Sequence, residues 1–435
     1  MAEGSPTDAA RWFRPALRRT IVRILLVADH AYINGGQAKV SLESAIGLAG
    51  RGHEVVLFAA VGPADPRLAE AGVRTVLLGQ TDVTQARSLA RFGVQWLWNG
   101  PAAAELRALI DESDPRDTVV HVHAWAKALS PSIGPVLRDC AAPVVYTAHE
   151  YYLACPNGGF YDHPVAAACH RIPNGAACLT HNCDSRTYPR KLMRVARHEV
   201  MRRTGLVAGI DAMITISRLQ REVLAPYLPT AMRYYDVPNP VDAEPLGHRA
   251  GPPGDFVFVG RLSPEKGPGL FAEAARLSGM RAVFAGDGPA RAQLEARYPE
   301  AVFLGWQSPD QVKDVLRGAR ALVFPSVWYE GQPLTVLESL GLGTPVLVSD
   351  VCAGREAVRH GENGLWFRAN DPRSLADAMG HLANDATAMR MGRSAYDLFW
   401  ADPLTLERHL DGLERVYRDV AGREGRVSAP VRAVG

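Results

Sequence analysis

Two carboxylates in the second half of the chain, Glu330 and Glu338, have the type and spacing to bind a ligand. Glu330 lies in a loop just ahead of a predicted helix over Pro333–Leu342, in which Pro333 is a favourable first residue because its missing N–H would be unpaired there. Glu338 falls on the apolar stripe of this helix, where a carboxylate is costly unless a partner binds it. Ribose hydroxyls would be such partners, and the free N–H groups at the helix start, near Gly331, suit a phosphate.

The same two carboxylates allow other interpretations. A glycosidase places two carboxyl groups on either side of the bond that it cleaves, about 5 Å apart for retention or about 6.5–9.5 Å apart for inversion. The spacing of Glu330 and Glu338 along the chain sets neither distance. A further alternative is a surface Glu in a loop together with a helix Glu that pairs with a neighbouring lysine.

Two cations, Arg261 and Lys266, follow a predicted strand over Phe256–Gly260. An Arg side chain can contact two phosphate oxygens at once, and a Lys beside it adds a point charge. A diphosphate gains negative charge as its bond to a sugar breaks, so cations fixed at this place would lower the barrier. The alternative is a solvated, charged turn.

Two histidines lie at predicted strand ends in the first half of the chain. His123 ends a strand over Thr118–His123, and His149 follows a strand over Pro143–Thr147. If the strands are parallel, both side chains point into a cleft at the same edge of the sheet. A packed or capping histidine is the alternative to a catalytic one.

Four of the six cysteines lie in one long stretch rich in Pro and Gly, which we interpret as an insertion over 151–188: Cys155, Cys169, Cys178 and Cys183. A loop of this length needs a reason to be ordered, and four thiolates could supply one by closing a tetrahedral, structural zinc site. The spacing lacks a short C-x-x-C knuckle, so free thiols or a redox-sensitive loop are alternatives. In each case the loop lies where an acceptor could dock.

The elements that must position these groups alternate between strand and helix. Nearly continuous apolar runs with β-branched residues, such as Ile21–Ala28, are typical of strands buried on both faces of a parallel sheet. Further strands are predicted over Glu54–Ala59, Val73–Leu78, Thr118–His123, Pro143–Thr147 and Ala212–Ile216. Helical stretches separate most of them, which predicts an α/β sheet with right-handed crossovers.

The alternation stops near 237–242, where two prolines in four residues prevent a helix, and then resumes. The second series has predicted strands over Phe256–Gly260, Ala282–Ala285, Ala301–Leu304, Ala321–Pro325 and Pro345–Val348, with helices over Pro268–Leu277, Pro309–Leu316 and Pro333–Leu342. We predict an α/β protein of two Rossmann-like domains, 21–240 and 241–398, facing each other across a cleft. Ligands of open α/β sheets bind beyond the carboxyl ends of the strands, where the candidate residues lie.

The overall composition is that of an ordinary globular protein. The 435 residues are 47% apolar and 22% charged, and 48 Lys and Arg nearly balance 46 Asp and Glu, so no strong field favours nucleic acid as a partner. No apolar run approaches the roughly 20 residues that a membrane helix needs. We expect a reduced, cytoplasmic protein with a flexible lead at 1–20 and a disordered tail at 421–435.

A basic segment over 186–203 follows the insertion and carries seven cations against one acid. A basic helix with Leu192, Val195 and Met201 on another face could contact an anionic membrane or a lipid-diphosphate acceptor. The alternative is a solvated helix over the sheet.

Signatures of several other enzyme classes are missing. No G-x-G-x-x-G follows a predicted strand, which leaves a dinucleotide oxidoreductase with little support. No G-x-x-x-x-G-K-[ST], H-E-x-x-H or G-x-S-x-G occurs either, which removes P-loop phosphoryl transfer and the commonest hydrolases.

Taken together, these segments resemble the family 4 retaining glycosyltransferases, which have the GT-B fold. The motifs that match are Asn34–Gly36, Pro238–Asp242, Gly260–Leu262, Glu265–Gly267, Ala285–Pro289, Phe303–Trp306, the spacing from Glu330 to Glu338, and Gly343–Val346. The resemblance implies a retaining hexosyltransferase in cell-surface polysaccharide synthesis, with a nucleotide-diphosphate sugar as donor and a glycan or lipid-linked acceptor. No two aspartates stand two residues apart, so the metal-binding D-x-D of the other major transferase fold is absent. Cations of the protein would then take the place of a metal, and no cofactor would be required.

The resemblance also implies roles for individual residues. Arg261 and Lys266 would hold the donor diphosphate. Glu330 would bind hydroxyls of the donor sugar, and Glu338 would bind the ribose. The further donor-binding positions are Gly35, Gly36, Gly286, Gly288, Gly305, Gly331, Gln332, Pro333 and Leu334.

The first domain and the C-terminus are given roles in the same way. His123 would position a sugar hydroxyl, with His149 near the acceptor, and a C-terminal helix over 399–420 would pack back on the first domain. A sugar-nucleotide epimerase and a phosphorylase on the same scaffold are alternatives, although no local pattern marks a lysine for pyridoxal phosphate. A non-catalytic scaffold is a third, against which the presence of all four charged site residues weighs.

Overall fold

The computed structural model describes residues 22–81, 93 and 95–422 of the chain. The predicted lead at 1–20 lies outside these residues, and so does the predicted disordered tail apart from its first two residues. Ala421 ends the last helix, so the tail prediction is wrong at that residue. No helix in the described part of the chain has the length and apolar character needed to cross a bilayer.

The first domain is built on a parallel sheet of seven strands. These are β1 (Arg23–His30), β2 (Glu54–Val61), β3 (Arg74–Leu77), β4 (Thr118–Val122), β5 (Val144–Ala148), β8 (Ala212–Thr215) and β9 (Arg233–Asp236). Their order is β3-β2-β1-β4-β5-β8-β9. The central strands β1 and β2 are buried at nearly every position, because helices cover both faces of the sheet and each face needs apolar side chains.

The second domain repeats this plan with six parallel strands. These are β10 (Phe256–Val259), β11 (Ala282–Ala285), β12 (Val302–Gly305), β13 (Ala321–Phe324), β14 (Val346–Ser349) and β15 (Gly364–Phe367). Their order is β12-β11-β10-β13-β14-β15, so β10 lies beside β13 and the residues that follow these two strands meet at one edge.

Helices connect the strands in both domains. Those of the first domain are α1 (Gly36–Gly50), α2 (Pro66–Glu70), α3 (Gly100–Asp111), α4 (Ile133–Arg138), α5 (Ala176–Leu179), α6 (Tyr188–Thr204) and α7 (Arg218–Leu224). Those that follow are α8 (Pro268–Ser278), α9 (Arg291–Arg297), α10 (Pro309–Gly318), α11 (Leu334–Gly341), α12 (Pro372–His381), α13 (Asp385–Ala401) and α14 (Leu406–Ala421). The two α/β sheets of the sequence prediction are therefore present.

The sequence pattern does not predict two edge strands, β9 and β15. β9 has a charged residue at each end, and β15 begins with a glycine and exposes Trp366, so neither has the apolar run of a central strand. The predicted start of α11 is also wrong. Pro333 has a ψ of 102° and lies just outside the helix, where its carbonyl accepts the Val336 N–H at 3.1 Å.

The insertion over 151–188 is ordered largely by buried carboxylates. It contains a short antiparallel hairpin of β6 (Tyr161–Asp162) and β7 (Ala167–Ala168). Asp162 pairs with Arg171 and with His181, each at 2.7 Å. Asp184 pairs with Arg194 of α6 at 2.8 Å. Because both carboxylates are almost fully buried, these pairs hold the loop in one conformation.

Several cations of the basic segment are used inside the protein. Lys191 and Arg197 are buried, and the Arg197 guanidinium lies 4.1 Å from the centroid of the Trp96 ring. Met201, predicted on an apolar outer face, is fully buried in the core of the first domain. The helix therefore contributes to packing as well as to the surface.

The polypeptide crosses between the domains twice. It leaves the first domain after β9 and returns after α13, which packs on α11 of the second domain through Phe399. The last helix, α14, lies on α1 and completes an apolar cluster of the first domain. His409 of α14 forms two hydrogen bonds with the rest of the protein, one to the Ser44 hydroxyl at 3.1 Å and one to the Pro238 carbonyl at 2.8 Å.

Candidate active site

The cleft is lined by elements that follow the carboxyl ends of strands in both sheets. From the first domain, the insertion follows β5 and α7 follows β8; from the second, the loop over 325–333 follows β13 and a 3-10 turn at Ala353–Glu356 follows β14. Glu356 accepts the backbone N–H groups of Arg218 and Leu219, at 3.1 and 2.8 Å, at the start of α7. The carboxyl edges of the two sheets therefore face each other, which is where open α/β sheets bind ligands.

Lys266 and Glu330 form a direct ion pair at the edge of the second sheet. Glu330 is only 9% exposed, and its Oε1 also accepts the Ser326 hydroxyl at 3.2 Å and the Trp328 indole N–H at 2.9 Å. Within the described residues, no hydrogen-bond donor contacts the other carboxylate oxygen, Oε2. The pair therefore presents one oriented oxygen that a ligand hydroxyl can approach.

Arg261, the second predicted cation, lies at the same edge and is exposed. It follows β10 directly after Gly260, and Lys266 follows five residues later at the end of a 3-10 turn over Pro264–Lys266. Its guanidinium has no hydrogen bond or ion pair with any residue that the structure describes. Arg261 can therefore bind an anion without first breaking an ion pair of the protein.

His123 and His149 form a hydrogen-bonded pair at the edge of the first sheet. His123 Nδ1 lies 3.1 Å from His149 Nε2, and the Gln37 side chain donates to the His123 carbonyl at 2.7 Å. Burial lowers the pKa of His149 to about 3 and holds the pKa of His123 well below its usual value, so both rings are neutral at pH 7. Nε2 of His123 is buried without a partner in the described part of the chain. This nitrogen is available to a ligand.

A third buried histidine, His121, packs against the ring of His123. The His121 ring lies 4.1 Å from the His123 ring, centroid to centroid. Its Nδ1 and Nε2 bond to the Tyr417 hydroxyl and to the Thr147 hydroxyl, each at 2.7 Å. Burial lowers the pKa of His121 to about 3. Because Tyr417 belongs to α14, the last helix reaches the layer directly beneath the candidate site.

Two of the predicted donor-binding glycines have a packing reason to be glycine. A Cβ at Gly286 would lie 1.9 Å from the Gly260 carbonyl oxygen, and one at Gly288 would lie 2.5 Å from that of Leu262. These glycines let the turns after β10 and β11 pack together at the edge of the second sheet. Their contact with a donor stays a prediction.

Gly35 and Gly36 have open space around them. A Cβ at either position would meet no atom within 4 Å, and Gly36 begins α1. The N–H groups at the start of this helix are therefore accessible to an anion, as the predicted phosphate contact requires. Gly305 differs from them, since its φ of 73° favours glycine and Arg291 lies 3.2 Å from the position of a Cβ.

The residues just before α11 are hydrogen-bonded to the hinge between the domains, the segment over 237–242. The Gln332 side chain accepts the Asn239 N–H at 2.7 Å and donates to the Asn239 carbonyl at 3.4 Å. Gly331 packs against Gln220 of the first domain, and Pro333 lines a hinge cavity of about 340 Å³. The side-chain amide of Gln332 is thus already bound to the backbone of the hinge.

Glu338 lies on α11 and is partly buried, as its place on an apolar stripe predicts. Burial raises the pKa of Glu338, and the charge of Lys39 opposes that rise. Lys39 belongs to α1 of the first domain and lies 3.8 Å from Asp242 in the segment between the domains. Leu334, another predicted contact, is the first residue of α11. This end of the cleft therefore combines groups from both domains.

The zinc prediction for Cys155, Cys169, Cys178 and Cys183 is wrong for this structure. All four are free thiols, and no group of three His, Cys, Asp or Glu side chains in the described ranges could hold a metal ion. Two cations of the protein lie beside these residues. The Lys191 ammonium bonds to the carbonyls of Cys178 and His181, and Arg171 lies 3.6 Å from the Cys169 sulfur. Burial also raises the pKa of Cys183 to about 11, which keeps it a thiol.

Sequence reasoning missed three residues of the site. Trp328 and Ser326 donate hydrogen bonds to Glu330. Burial raises the pKa of Glu338 in the second domain, and the charge of Lys39, which belongs to the first, opposes that rise. Trp328 stands two residues before Glu330, a short spacing that allows a side chain to donate back to the carboxylate. Lys39 follows Gly36 by less than one helical turn, and nothing in its spacing indicates a partner in the second domain.

Comparison with known protein families gives two matches that together span most of the chain. The model for Glycosyltransferase Family 4 matches residues 34–245. The model for Glycosyl transferases group 1 matches residues 253–385. The two matches divide at the segment where the chain passes from the first sheet to the second.

Individual relatives are similar over different lengths. The D-inositol 3-phosphate glycosyltransferase of Mycobacterium marinum is 29% identical, over 98% of this chain and 92% of that protein. The UDP-Gal:alpha-D-GlcNAc-diphosphoundecaprenol alpha-1,3-galactosyltransferase of Escherichia coli is 27% identical over 179 residues, which are 38% of this chain and 45% of that protein.

Solved structures with the same fold include two from cyanobacteria. HepE of Anabaena in complex with UDP superposes with a TM-score of 0.62 at 14% identity, covering 92% of this chain and 100% of that one. Sucrose-phosphate synthase of Thermosynechococcus elongatus gives a TM-score of 0.65 at 19% identity, covering 92% and 99%. At these identities the likeness establishes the shared two-domain fold.

Proposed function

Since the chain belongs to the group 1, family 4 glycosyltransferases and transfers a sugar from a nucleotide-sugar donor, we propose that it does so with retention of configuration and without a metal ion. The observation that carries this proposal is the edge of the second sheet, where Arg261, Lys266 and the oriented carboxylate of Glu330 lie together. Two cations suit a departing diphosphate, and the free Oε2 of Glu330 suits a sugar hydroxyl.

The proposed step exchanges one bond to the anomeric carbon for another. The bond from the sugar to the diphosphate breaks, and the acceptor hydroxyl forms the new glycosidic bond on the same face. The acceptor proton passes to the departing diphosphate oxygen, whose charge Arg261 and Lys266 offset. His123, neutral at its buried site, donates to or accepts from a hydroxyl of the transferred sugar.

The acceptor that we propose is a glycan or a lipid-linked molecule of a cell-surface polysaccharide, used on the cytoplasmic side of the membrane. The E. coli relative acts on a diphosphoundecaprenol acceptor, as its name states. Apolar side chains of α6, Tyr188, Leu192 and Met193, are 37–44% exposed beside Arg186 and Arg190. Together they form a surface with the composition of a peripheral membrane contact.

A panel of nucleotide sugars tests the donor part of this proposal. A true donor at a hundred times its dissociation constant stabilises the protein by about 2.7 kcal/mol, which a thermal shift detects. NMR of the product formed with that donor then shows whether the anomeric configuration of the donor is kept, and a reaction in chelator tests the need for metal. Inversion, or loss of turnover in chelator, would contradict the corresponding part.

Cosedimentation with vesicles tests the membrane contact. Vesicles with anionic lipid should carry the protein down and neutral vesicles should not, and Leu192→Ser with Met193→Ser should weaken that binding. Tyr227→Ser, which removes an exposed aromatic outside α6, is the matched control. Equal binding of all three proteins would contradict a contact through α6.

A further inference from the structure

The insertion of the first domain reaches the loop over 325–333 of the second, which carries Glu330. Gly159 of the insertion packs against the Trp328 ring, so that a Cβ at Gly159 would lie 3.2 Å from ring atom Cζ3. The next residue of each segment is also in contact: the rings of Phe160 and Tyr329 have centroids 6.5 Å apart. Further along, the Tyr329 hydroxyl lies 3.2 Å from His170 Nδ1. The loop that carries Glu330 is therefore seated on the insertion.

Trp328 touches both members of the ion pair. Its indole N–H donates to Glu330 Oε1 at 2.9 Å, and the Lys266 ammonium lies 5.6 Å from the centroid of its ring. The indole N–H holds Oε1 of the carboxylate, which leaves Oε2 for a ligand. The ring face offers the ammonium a cation–π contact. The Trp328 side chain thus contacts the insertion on one side and both Lys266 and Glu330 on the other.

We propose that Trp328 is a positioning residue through which the insertion of the first domain sets the geometry of Lys266 and Glu330. The contact with Gly159 requires the two domains to be closed, because the insertion belongs to the first domain and Trp328 to the second. When the domains open, the indole loses this support, and Glu330 loses the constraint that directs Oε2 toward the sugar. The insertion therefore couples domain closure to the assembly of the sugar-binding carboxylate. This proposal rests on the proposed function for the identity of the ligand, but not for the coupling itself.

Hydrogen exchange of the free protein tests the coupling without any ligand. Gly159→Ala places a methyl group against the Trp328 ring, and we expect faster amide exchange in the loop over 325–333 than in the wild type. Gly175→Ala is the matched control, since its methyl group meets Ile172 within the insertion rather than the second domain. Equal exchange in the loop for Gly159→Ala and Gly175→Ala would overturn the proposal, even if no donor had been found.

Kinetics with the donor chosen by the thermal-shift panel test the effect on the site. Trp328→Phe keeps a ring against Gly159 but removes the N–H, and we expect kcat to fall roughly 10- to 100-fold, as for loss of a hydrogen bond to a charged group. Binding of the nucleoside diphosphate alone, measured by calorimetry, should not change, because the Phe ring still offers Lys266 a cation–π contact and that ligand has no sugar for Glu330. Trp366→Phe removes an indole hydrogen bond to the Val358 carbonyl elsewhere in the domain and serves as the control.

A double variant separates coupling from independent damage. If Gly159 acts through Trp328, Gly159→Ala combined with Trp328→Phe should lower kcat no further than Trp328→Phe alone. Two single effects that multiply would overturn the proposal, because they would show that the insertion acts by another route. Weaker binding of the nucleoside diphosphate in Trp328→Phe would also overturn it, since that result places the defect at the diphosphate.

Discussion

On the first domain's side of the cleft, the polar groups at the strand ends are imidazoles that burial keeps neutral. On the second domain's side they are a carboxylate and two cations, one of which, Arg261, has no partner in the described part of the chain. A neutral ring can orient a sugar hydroxyl but cannot offset the charge of a departing diphosphate. Under the proposed function, the first domain therefore orients the sugar and the second stabilises the developing charge.

Removing a cation from the second domain's side of the cleft should have the largest effect on activity. Arg261→Ala and Lys266→Ala should each lower kcat by about 10²–10³-fold, as for loss of one preorganised electrostatic contact. The two variants should differ in stability. Arg261 has no protein partner to lose, whereas Lys266→Ala leaves the buried carboxylate of Glu330 without its cation and should cost about 1–3 kcal/mol.

Kinetics and chemical denaturation of both variants measure these effects. Arg281→Ala, which breaks an exposed pair with Asp255, is the control and should change neither activity nor stability measurably. Full activity in Arg261→Ala and Lys266→Ala would remove the distinction between the two sides of the cleft.

Removing the neutral imidazole should have a smaller effect. His123→Ala should lower kcat/KM about 10- to 100-fold through loss of one hydrogen bond to the sugar and its orientation. His149→Ala should lower it less, since His149 acts on the site by holding Nδ1 of His123. A steady-state comparison of the two variants with one donor checks this order, and a larger loss in His149→Ala would indicate that His149 itself contacts substrate.

The neutral histidines also predict a stability that depends on pH. Burial lowers the pKa of His121 to about 3 and that of His409 to about 4, so the unfolded chain binds protons from near pH 6.5 downward while the folded chain does not. Stability is therefore full above pH 6.5 and falls as the pH drops toward 4, by about 1.4 kcal/mol per pH unit for each such ring.

Urea denaturation at pH 7 and pH 5 measures this fall, and His409→Gln should reduce it by the share of one ring. His248→Gln, which changes an exposed histidine paired with Asp397, is the control and should leave the pH dependence unchanged. Equal stability of the wild type at the two pH values would contradict this prediction.

The parts of the molecule that the sequence predicts well are those governed by local pattern. Central strands such as β1 and β2 are uninterrupted apolar runs, and the charged residues after β10 and β13 are brought together simply because parallel strands share a carboxyl edge. The strands β9 and β15 lack that apolar signal, because β9 is bounded by Arg233 and Asp236 and β15 begins with Gly364 and exposes Trp366.

Contacts between distant segments are what the sequence does not predict. The side chain of Gln332 stands among predicted donor contacts but binds the backbone of Asn239. In the insertion, Lys191 binds the backbone carbonyl of Cys178, and Arg171 lies beside the Cys169 sulfur. Each of these contacts depends on which residue of a distant segment the fold brings within hydrogen-bond distance. Residue type and spacing within one segment do not contain that information.

The position of α14 has a consequence for how the protein is made. Leu410, Leu413 and Tyr417 belong to the apolar cluster that covers one face of the first sheet, yet they leave the ribosome after every strand of both domains. The second domain can thus bury its own core during synthesis, while the first keeps an open apolar face until translation is nearly finished. This face of the first domain is therefore completed only after the last buried core residue of the second domain, Ala395, has been synthesised.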